Sequence, residues 1–92
     1  MNNGEELKTI VFTTHNVLRG KKITSVYHDN NGDFQVFSEI DGDADEETAA
    51  IISISELFDL DESLIKILLD LPKGYEAHRD SKSSKWIFAK SN

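Results

Sequence analysis

The chain has 92 residues, 38% of them apolar and 29% charged, and it contains no cysteine. This length and composition predict one globular domain over residues 1–92, with residues 1–6 disordered. The absence of cysteine excludes disulfides, thiolate metal sites and a cysteine nucleophile. The longest apolar run has four residues, against the roughly 20 of a membrane span, and the acidic N-terminus does not resemble a signal peptide. We therefore expect a cytoplasmic protein.

The net charge is −7, and the acidic residues are concentrated in the middle of the chain. Residues 23–65 contain 12 acidic residues and no lysine or arginine, whereas residues 1–22 carry +2 and residues 66–92 carry +3. An acidic surface repels nucleic-acid phosphates and anionic membranes, and it attracts basic proteins. We therefore expect a basic protein as partner, and neither nucleic acid nor a membrane.

A first strand is predicted over residues 7–14, because β-branched and aromatic residues dominate that segment. Its apolar triplet Ile10-Val11-Phe12 suggests burial on both faces of the sheet. Thr14 is then placed to cap a short helical turn over residues 15–19, which ends at Gly20.

A β-hairpin is predicted next, with strands over residues 23–28 and 33–40. The Asn31-Gly32 pair between them favours a type I′ turn, because both central residues of that turn need a positive φ. Alternation along the second strand assigns one face to Phe34, Val36, Ser38 and Ile40, and the other to Gln35, Phe37 and Glu39.

A short strand over residues 49–53 is predicted to lead into two helices. Ser53 and Glu56 have the capping-box spacing, in which each side chain bonds the backbone N–H of the other residue. Asp59 or Asp61 is expected to cap the second helix. The side chains predicted to face the core are Ile54, Leu57, Phe58, Leu64, Ile65, Ile67, Leu68, Leu69 and Leu71.

Residues 75–79 and 85–90 are predicted to form a C-terminal hairpin. The fold class expected from all these elements is α+β: a mostly antiparallel sheet of five or six short strands, with the helical segment of residues 54–71 packed on one face. The sequence leaves open whether an exposed strand edge pairs with a second copy, and hence the oligomeric state.

The sequence contains no motif for a metal ion or a cofactor, and we expect neither. Asp41, Asp43 and Asp45 match the start of a calcium-binding loop, but Glu46 stands where that loop needs glycine and Ile52 where it needs glutamate. The histidines lack zinc-site spacing, and the glycines do not form a phosphate-binding loop.

The one catalytic arrangement that the sequence suggests is a serine triad. It would join His28 and its neighbour Asp29 to Ser25 or Ser38 on an adjoining strand. The G-x-S-x-G pattern of a nucleophile elbow is absent. We therefore expect the chain not to be an enzyme.

The segment from Glu39 to Glu47 is the most acidic part of the chain, since six of its nine residues are acidic. We predict that it contacts the basic partner, with Phe37 as an apolar anchor beside it. The acidic rim is defined as Glu39, Asp41, Asp43, Asp45, Glu46 and Glu47.

An alternative function is a small-ligand-binding or regulatory domain. Its pocket would lie between the sheet and the helical segment, lined by Tyr27, Phe34, Tyr75 and Trp86.

Several segments within residues 10–90 together match a family pattern. They are Val26-Tyr27-His28-Asp29 with Gly32-Asp33-Phe34-Gln35, the strand–helix segment 51–57, Asp61-Glu62-Ser63-Leu64, and Leu71-Pro72-Lys73-Gly74 with the strand 75–79. This pattern resembles small bacterial immunity proteins of polymorphic toxin systems, although the family often has tryptophan at the position of Phe34 and proline at that of Glu62. The resemblance implies a non-enzymatic inhibitor, made in the cell that owns the toxin, which binds and blocks it. It implies no particular binding residues.

Overall fold

The computed structural model describes residues 10–41, 48–80 and 84–91. Within these ranges six strands form one sheet: β1 (Ile10–Thr14), β2 (Ser25–His28), β3 (Phe34–Phe37), β4 (Ala49–Ser53), β5 (Tyr75–His78) and β6 (Ile87–Lys90). The helices are α1 (His15–Leu18), α2 (Ile54–Leu60) and α3 (Leu64–Asp70), and a 3-10 turn spans Glu39–Asp41. The predicted α+β fold class is confirmed.

The strand order across the sheet is β4-β1-β3-β2-β5-β6, so β4 and β6 are the edge strands. Every neighbouring pair is antiparallel except β1 and β3, which are parallel. Parallel neighbours need a crossover connection, and α1 together with β2 lies between these two strands in the chain. Val26 is opposite Val36 on β3 and Ala77 on β5, so all three side chains lie on the same face.

The hydrophobic core lies between that face and the helices. Val11, Val26 and Val36 are fully buried on the sheet, as are Leu57 of α2 and Leu64 of α3. Further core side chains come from all parts of the described chain: Val17, Ile23, Phe34, Ile52, Leu68, Leu71 and Ala77. The prediction that the helical segment packs on one face of the sheet is confirmed.

The helix caps follow the sequence patterns. The Thr14 hydroxyl accepts a hydrogen bond from the Val17 N–H at the start of α1. At the start of α2, the Ser53 hydroxyl accepts from the Glu56 N–H at 3.1 Å, and the Glu56 carboxylate accepts from the Ser53 N–H at 3.0 Å. Because each residue satisfies a backbone donor that the helix leaves unpaired, both caps favour the observed boundaries.

The approach to α3 is organised by Asp61. Its carboxylate accepts from the backbone N–H and the hydroxyl of Ser63, and its carbonyl oxygen accepts from the Leu64 N–H. The prediction that Asp59 or Asp61 caps this helix is wrong: its N-cap is Ser63, which makes no side-chain cap hydrogen bond, whereas Asp61 is the C-cap of α2 and orders the turn before α3.

The predicted burial of β1 on both faces is wrong. Val11 points into the core, but its neighbours Ile10 and Phe12 are exposed, because no element among the described residues covers that side of the sheet. On α3, Ile65 and Leu69 are also exposed, in contrast to the prediction. The short helix contacts the core through Leu64, Ile67 and Leu68. Ile65 and Leu69, which follow Leu64 and Leu68, lie outside this stripe and point to solvent.

The β2–β3 hairpin is confirmed, but its turn is not of type I′. The Gly32 N–H donates to the Asp29 carbonyl, and the Asp29 N–H donates to the Asp33 carbonyl. Asn30 and Asn31 are therefore the central residues of the turn, and Gly32 follows them with a φ of 93°. Such a three-residue connection uses a glycine as its last residue. β3 is also shorter than predicted, and Ile40 is exposed in the 3-10 turn.

Candidate functional site

The side of the sheet opposite to the helices is a surface that no described element covers. Strand alternation and pairing assign fourteen residues to this side, three each from β1 and β4 and two each from the other four strands. One of them, Thr14, is fully buried, with its hydroxyl bonded to Asp41 of the 3-10 turn. We call the surface formed by the other thirteen the open face; its residues are Ile10, Phe12, Ser25, Tyr27, Gln35, Phe37, Ala49, Ile51, Ser53, Glu76, His78, Ile87 and Ala89.

Aromatic rings lie at the middle of the open face. The Tyr27 ring meets Phe37 edge to face with centroids 6.0 Å apart, and it meets His78 edge to face at 5.5 Å. Burial raises the pKa of Tyr27 above its ordinary value, and the nearby Glu76 carboxylate raises it further. The hydroxyl of Tyr27 therefore stays protonated well above neutral pH.

A hydrogen-bond chain joins four side chains across β2, β5 and the residue after β6. Ser25 Oγ is 3.0 Å from His78 Nδ1, and His78 Nε2 is 2.7 Å from Glu76 Oε1. Ser91 Oγ donates to Glu76 Oε2 at 2.7 Å. In the neutral histidine tautomer with its proton on Nε2, every one of these groups has a matching donor or acceptor. The hydrogen bonds from His78 and Ser91 lower the pKa of Glu76.

Serine, histidine and carboxylate in a row are also the components of a hydrolytic triad. A triad works only when donors stand ready for the oxyanion beside the nucleophile. Ser25 lies in β2, which is paired on both sides, with β3 and with β5. The sheet ladders therefore use the backbone N–H groups around Ser25. We interpret the chain of four side chains as a structural network on the open face rather than as a catalytic one.

The triad suggested by the sequence used the wrong histidine. His28 Nδ1 donates to the Leu71 carbonyl at 2.7 Å, and its ring stacks on Phe34 with centroids 4.0 Å apart. It lies on the helix side of the sheet, whereas Ser25 lies on the open face. Glu76 and His78 are two residues apart in a predicted strand, so the sequence indicates that both lie on one face of it. Ser25 joins them only through the cross-strand register, which the sequence does not show.

The described residues of the acidic rim lie at the end of the sheet where β1 and β3 finish. Asp41 is held tightly: its carboxylate accepts hydrogen bonds from the Thr14 hydroxyl, the Asn16 amide and the Ser38 N–H, at 3.0, 2.9 and 2.8 Å. Glu39 forms an exposed ion pair with Lys22 at 2.7 Å. Asp43, Asp45, Glu46 and Glu47 lie outside the described residues.

Phe37 lies next to the acidic rim. It is half-buried at the last position of β3, on the open face and two residues before Glu39. The structure therefore brings Phe37, Glu39 and Asp41 together at one end of the sheet, as their closeness in sequence requires. The Asp41 carboxylate accepts hydrogen bonds from within the domain, and the sequence did not predict these bonds.

The predicted ligand pocket is not formed by its four residues. Tyr27 lies on the open face, whereas Phe34 is buried on the opposite, helix side, and Tyr75 and Trp86 pack against the core. Two shallow clefts open elsewhere on the described surface. One, of about 380 Å³, includes His78, Lys85 and Ile87; the other, of about 210 Å³, is lined by Tyr27, His28, Asp29, Asn30, Gln35, Gly74 and Ser91.

Among the described residues, no three side chains of the metal-ligating types come together. No helix in the same part of the chain has the length and apolar character needed to cross a bilayer. Comparisons of the chain with family models, with curated proteins and with solved structures found no match.

Proposed function

We propose that the chain is a non-enzymatic protein-binding module that neutralises a basic protein, a toxin domain, through the acidic rim. The observation that carries this proposal is the anchoring of both ends of the acidic connection. Asp41 bonds Thr14 and Asn16 at the junction of β1 and α1. The Thr48 carbonyl accepts from the His15 N–H at the same junction, at 2.9 Å. Asp41 and Thr48, the described residues on either side of the four other rim acids in the sequence, are therefore both held at this junction.

Electrostatics supports this use of the rim. Residues 42–47 contain four acidic residues, and Glu39 precedes them in an exposed ion pair with Lys22. Complementary charge of this kind raises association rates from about 10⁵–10⁶ to as much as about 10⁸–10⁹ M⁻¹s⁻¹ at low salt. A nuclease or another phosphate-binding protein presents a matching basic surface, because its site has to attract phosphates.

A rescue experiment tests the proposal. The open reading frame next to that of this chain is expressed in a sensitive host, with and without the chain. We expect toxicity that co-expression relieves, and we expect the two proteins to purify together. A toxic neighbour that the chain neither binds nor relieves would refute the proposal for that pair.

The rim itself is tested by charge removal with a matched control. In the rim variant, Asp43→Asn, Asp45→Asn and Glu46→Gln remove three charges from the connection. In the control, three exposed acids of the helical segment are neutralised instead: Glu56→Gln, Glu62→Gln and Asp70→Asn. Both variants change the net charge equally. We expect the rim variant alone to slow association strongly and to flatten its salt dependence. Equal rates for the two variants would show that the location of the charge is irrelevant.

A further inference from the structure

The two edges of the sheet differ in how open they are. On the edge strand β4, the N–H of Ser53 already donates to the Glu56 carboxylate of the capping box. The other edge strand, β6, pairs on one side only, with β5, and all four of its residues are exposed. β6 is therefore the more open edge for the addition of a further strand.

The pairing of β6 with β5 shows which backbone groups of β6 are unpaired. The Ser91 N–H donates to the Gly74 carbonyl at 2.7 Å, just beyond the end of the two strands. In an antiparallel pair only every second residue bonds the neighbouring strand, so Ala89 bonds β5. The N–H and C=O groups of Phe88 and Lys90 therefore point away from the sheet. Among the described strands, none lies on that side.

The side chains along β6 are basic at the ends and apolar between them. We call residues 85–90 the β6 edge. Lys85 lines the same cleft as Ile87 and Ala89, so the strand alternation extends back to it. Lys85 and Lys90 are exposed, and neither forms an ion pair with another described residue. Ile87 and Phe88 are exposed between them, on opposite faces of the sheet.

These charges select the chemistry of the occupant. Two β6 edges from two copies would bring the lysines of both copies together at the ends of the pair, and like charges destabilise a strand pair. An acidic segment instead pairs its carboxylates with lysines that have no other partner. We propose that the β6 edge binds an extended acidic segment of a partner protein, which adds a seventh strand to the sheet.

The acidity of the rest of the chain is compatible with this occupant. The acidic rim begins after β3, three strands away from β6, which corresponds to about 14 Å. Glu76 lies on β5, two strand spacings or about 10 Å from an added strand. Both distances exceed the Debye length of about 8 Å at physiological salt. The lysines of the β6 edge are only one strand spacing away, so their attraction dominates at the added strand.

An NMR titration of the full chain with a designed peptide tests the proposal. The peptide has six residues and blocked ends, with glutamate at its first and last positions and alternating valine and threonine between them. Its length matches residues 85–90, so each lysine meets a glutamate in either strand direction. We expect saturation to slow the hydrogen exchange of the Phe88 and Lys90 amides by about tenfold or more. The Ala89 amide, which bonds β5, should be protected with and without the peptide.

Charge reversal with a matched control tests the role of the lysines. Lys85→Glu combined with Lys90→Glu should weaken peptide binding by about tenfold or more. The control combines Lys21→Glu with Lys66→Glu, two exposed lysines elsewhere, and should weaken it by less than about twofold because of screening. Equal losses in the two variants would refute the proposed site. So would equal binding of a peptide that carries lysine in place of glutamate.

Backbone pairing is tested separately from side-chain contact. Phe88→Pro removes an outward N–H and leaves the bonds to β5 intact, as proline does on edge strands; Phe88→Ala removes the same ring and keeps that N–H. We expect the proline variant to bind about fivefold more weakly than the alanine variant. A peptide whose N–H groups facing β6 are methylated tests the same bonds in the unchanged chain. Undiminished binding of this methylated peptide would overturn the proposal.

The free chain gives one more decisive outcome. If the Phe88 and Lys90 amides became protected without peptide as the protein concentration rises, a second copy would occupy the edge and the proposal would be wrong. The inference goes beyond the proposed function, since no variant of the β6 edge changes an acidic rim residue. Loss of peptide binding with unaltered toxin neutralisation, or the reverse, would separate the two proposals.

Discussion

Replacement of Arg79 by alanine is expected to be the most destabilising single change of a charged residue in the described chain. The Arg79 guanidinium is 3% exposed, and its partner, the Asp61 carboxylate, is 12% exposed at 2.8 Å. The Nε–H of Arg79 donates to the Ile23 carbonyl at 2.9 Å, and the guanidinium lies over the Trp86 ring at 4.4 Å. One side chain therefore connects β5, the start of α3, the segment before β2 and the approach to β6.

Removal of one partner of a buried ion pair costs about 3–5 kcal/mol, because the remaining charge loses its compensation. The lower end applies to Arg79→Ala, since Asp61 keeps its hydrogen bonds from Ser63. A domain of this size has roughly 5–15 kcal/mol of stability in all. Arg79→Met, which retains cover over Trp86, is expected to cost less than Arg79→Ala.

The assay is urea denaturation followed by far-ultraviolet circular dichroism, with Trp86 fluorescence as a second probe. The control is Arg19→Ala, which removes the same side chain from an exposed position and should change the free energy of unfolding by less than about 0.5 kcal/mol. If Arg79→Ala and Arg19→Ala cost the same, the buried pair does not stabilise the fold, and the reasoning is wrong.

Three further predictions concern pH, a cap and a turn. Burial tends to raise the pKa of Asp61, but the hydrogen bonds from Ser63 and Arg79 outweigh it and hold that pKa below its ordinary value. The contribution of Asp61 to stability is therefore present above about pH 4 and is lost as the pH falls through the lowered pKa. When the unfolding free energy is titrated with acid, Arg79→Met should lose less stability over this pH range than the unchanged chain. Equal losses would contradict the assignment of the pH dependence to the Asp61–Arg79 pair. Ser53→Ala should lower the unfolding free energy by about 1 kcal/mol in the same urea assay, because α2 loses its side-chain cap; no measurable loss would show that Glu56 is sufficient. Gly74→Ala should destabilise by more than about 1 kcal/mol, because residue 74 has a φ of 81° and a Cβ there would stand 2.9 Å from the amide oxygen of Asn30; Gly20→Ala, with a positive φ but open space, should cost less, and the opposite order would refute the steric argument.

The local elements could be predicted because their causes are local. The capping box of Ser53 and Glu56, the strand Ala49–Ser53 and the C-terminal hairpin all follow from residues within a few positions of one another. Burial was harder to predict. Ile10 and Phe12 have the composition of a strand buried on both sides, yet one side of that strand is exposed. Composition shows that a strand is apolar, but it does not show how many layers cover it.

In the candidate sites, too, contacts between residues close in sequence could be predicted, and contacts between distant residues could not. The closeness of Phe37, Glu39 and Asp41 could be predicted, since they lie within five residues of one another. The use of Asp41 as an internal anchor depends on Thr14 and Asn16, which are more than 20 residues away. The sequence suggested His28 for a serine–histidine pair, but the fold pairs His78 with Ser25, 53 residues away.

The sequence by itself determined the α+β class, the caps of α1 and α2, the hairpins and the uneven charge, because periodicity, capping and turn chemistry act over one to five residues. Tertiary structure alone decided that β1 lies beside β3 in parallel, that Ile10 and Phe12 of β1 are exposed, and that Ser25, His78 and Glu76 meet on the side of the sheet opposite to the helices. These features depend on strand order and register, which are set by the joint burial of residues far apart in the chain. A shift of one residue in register would turn each side chain to the opposite face.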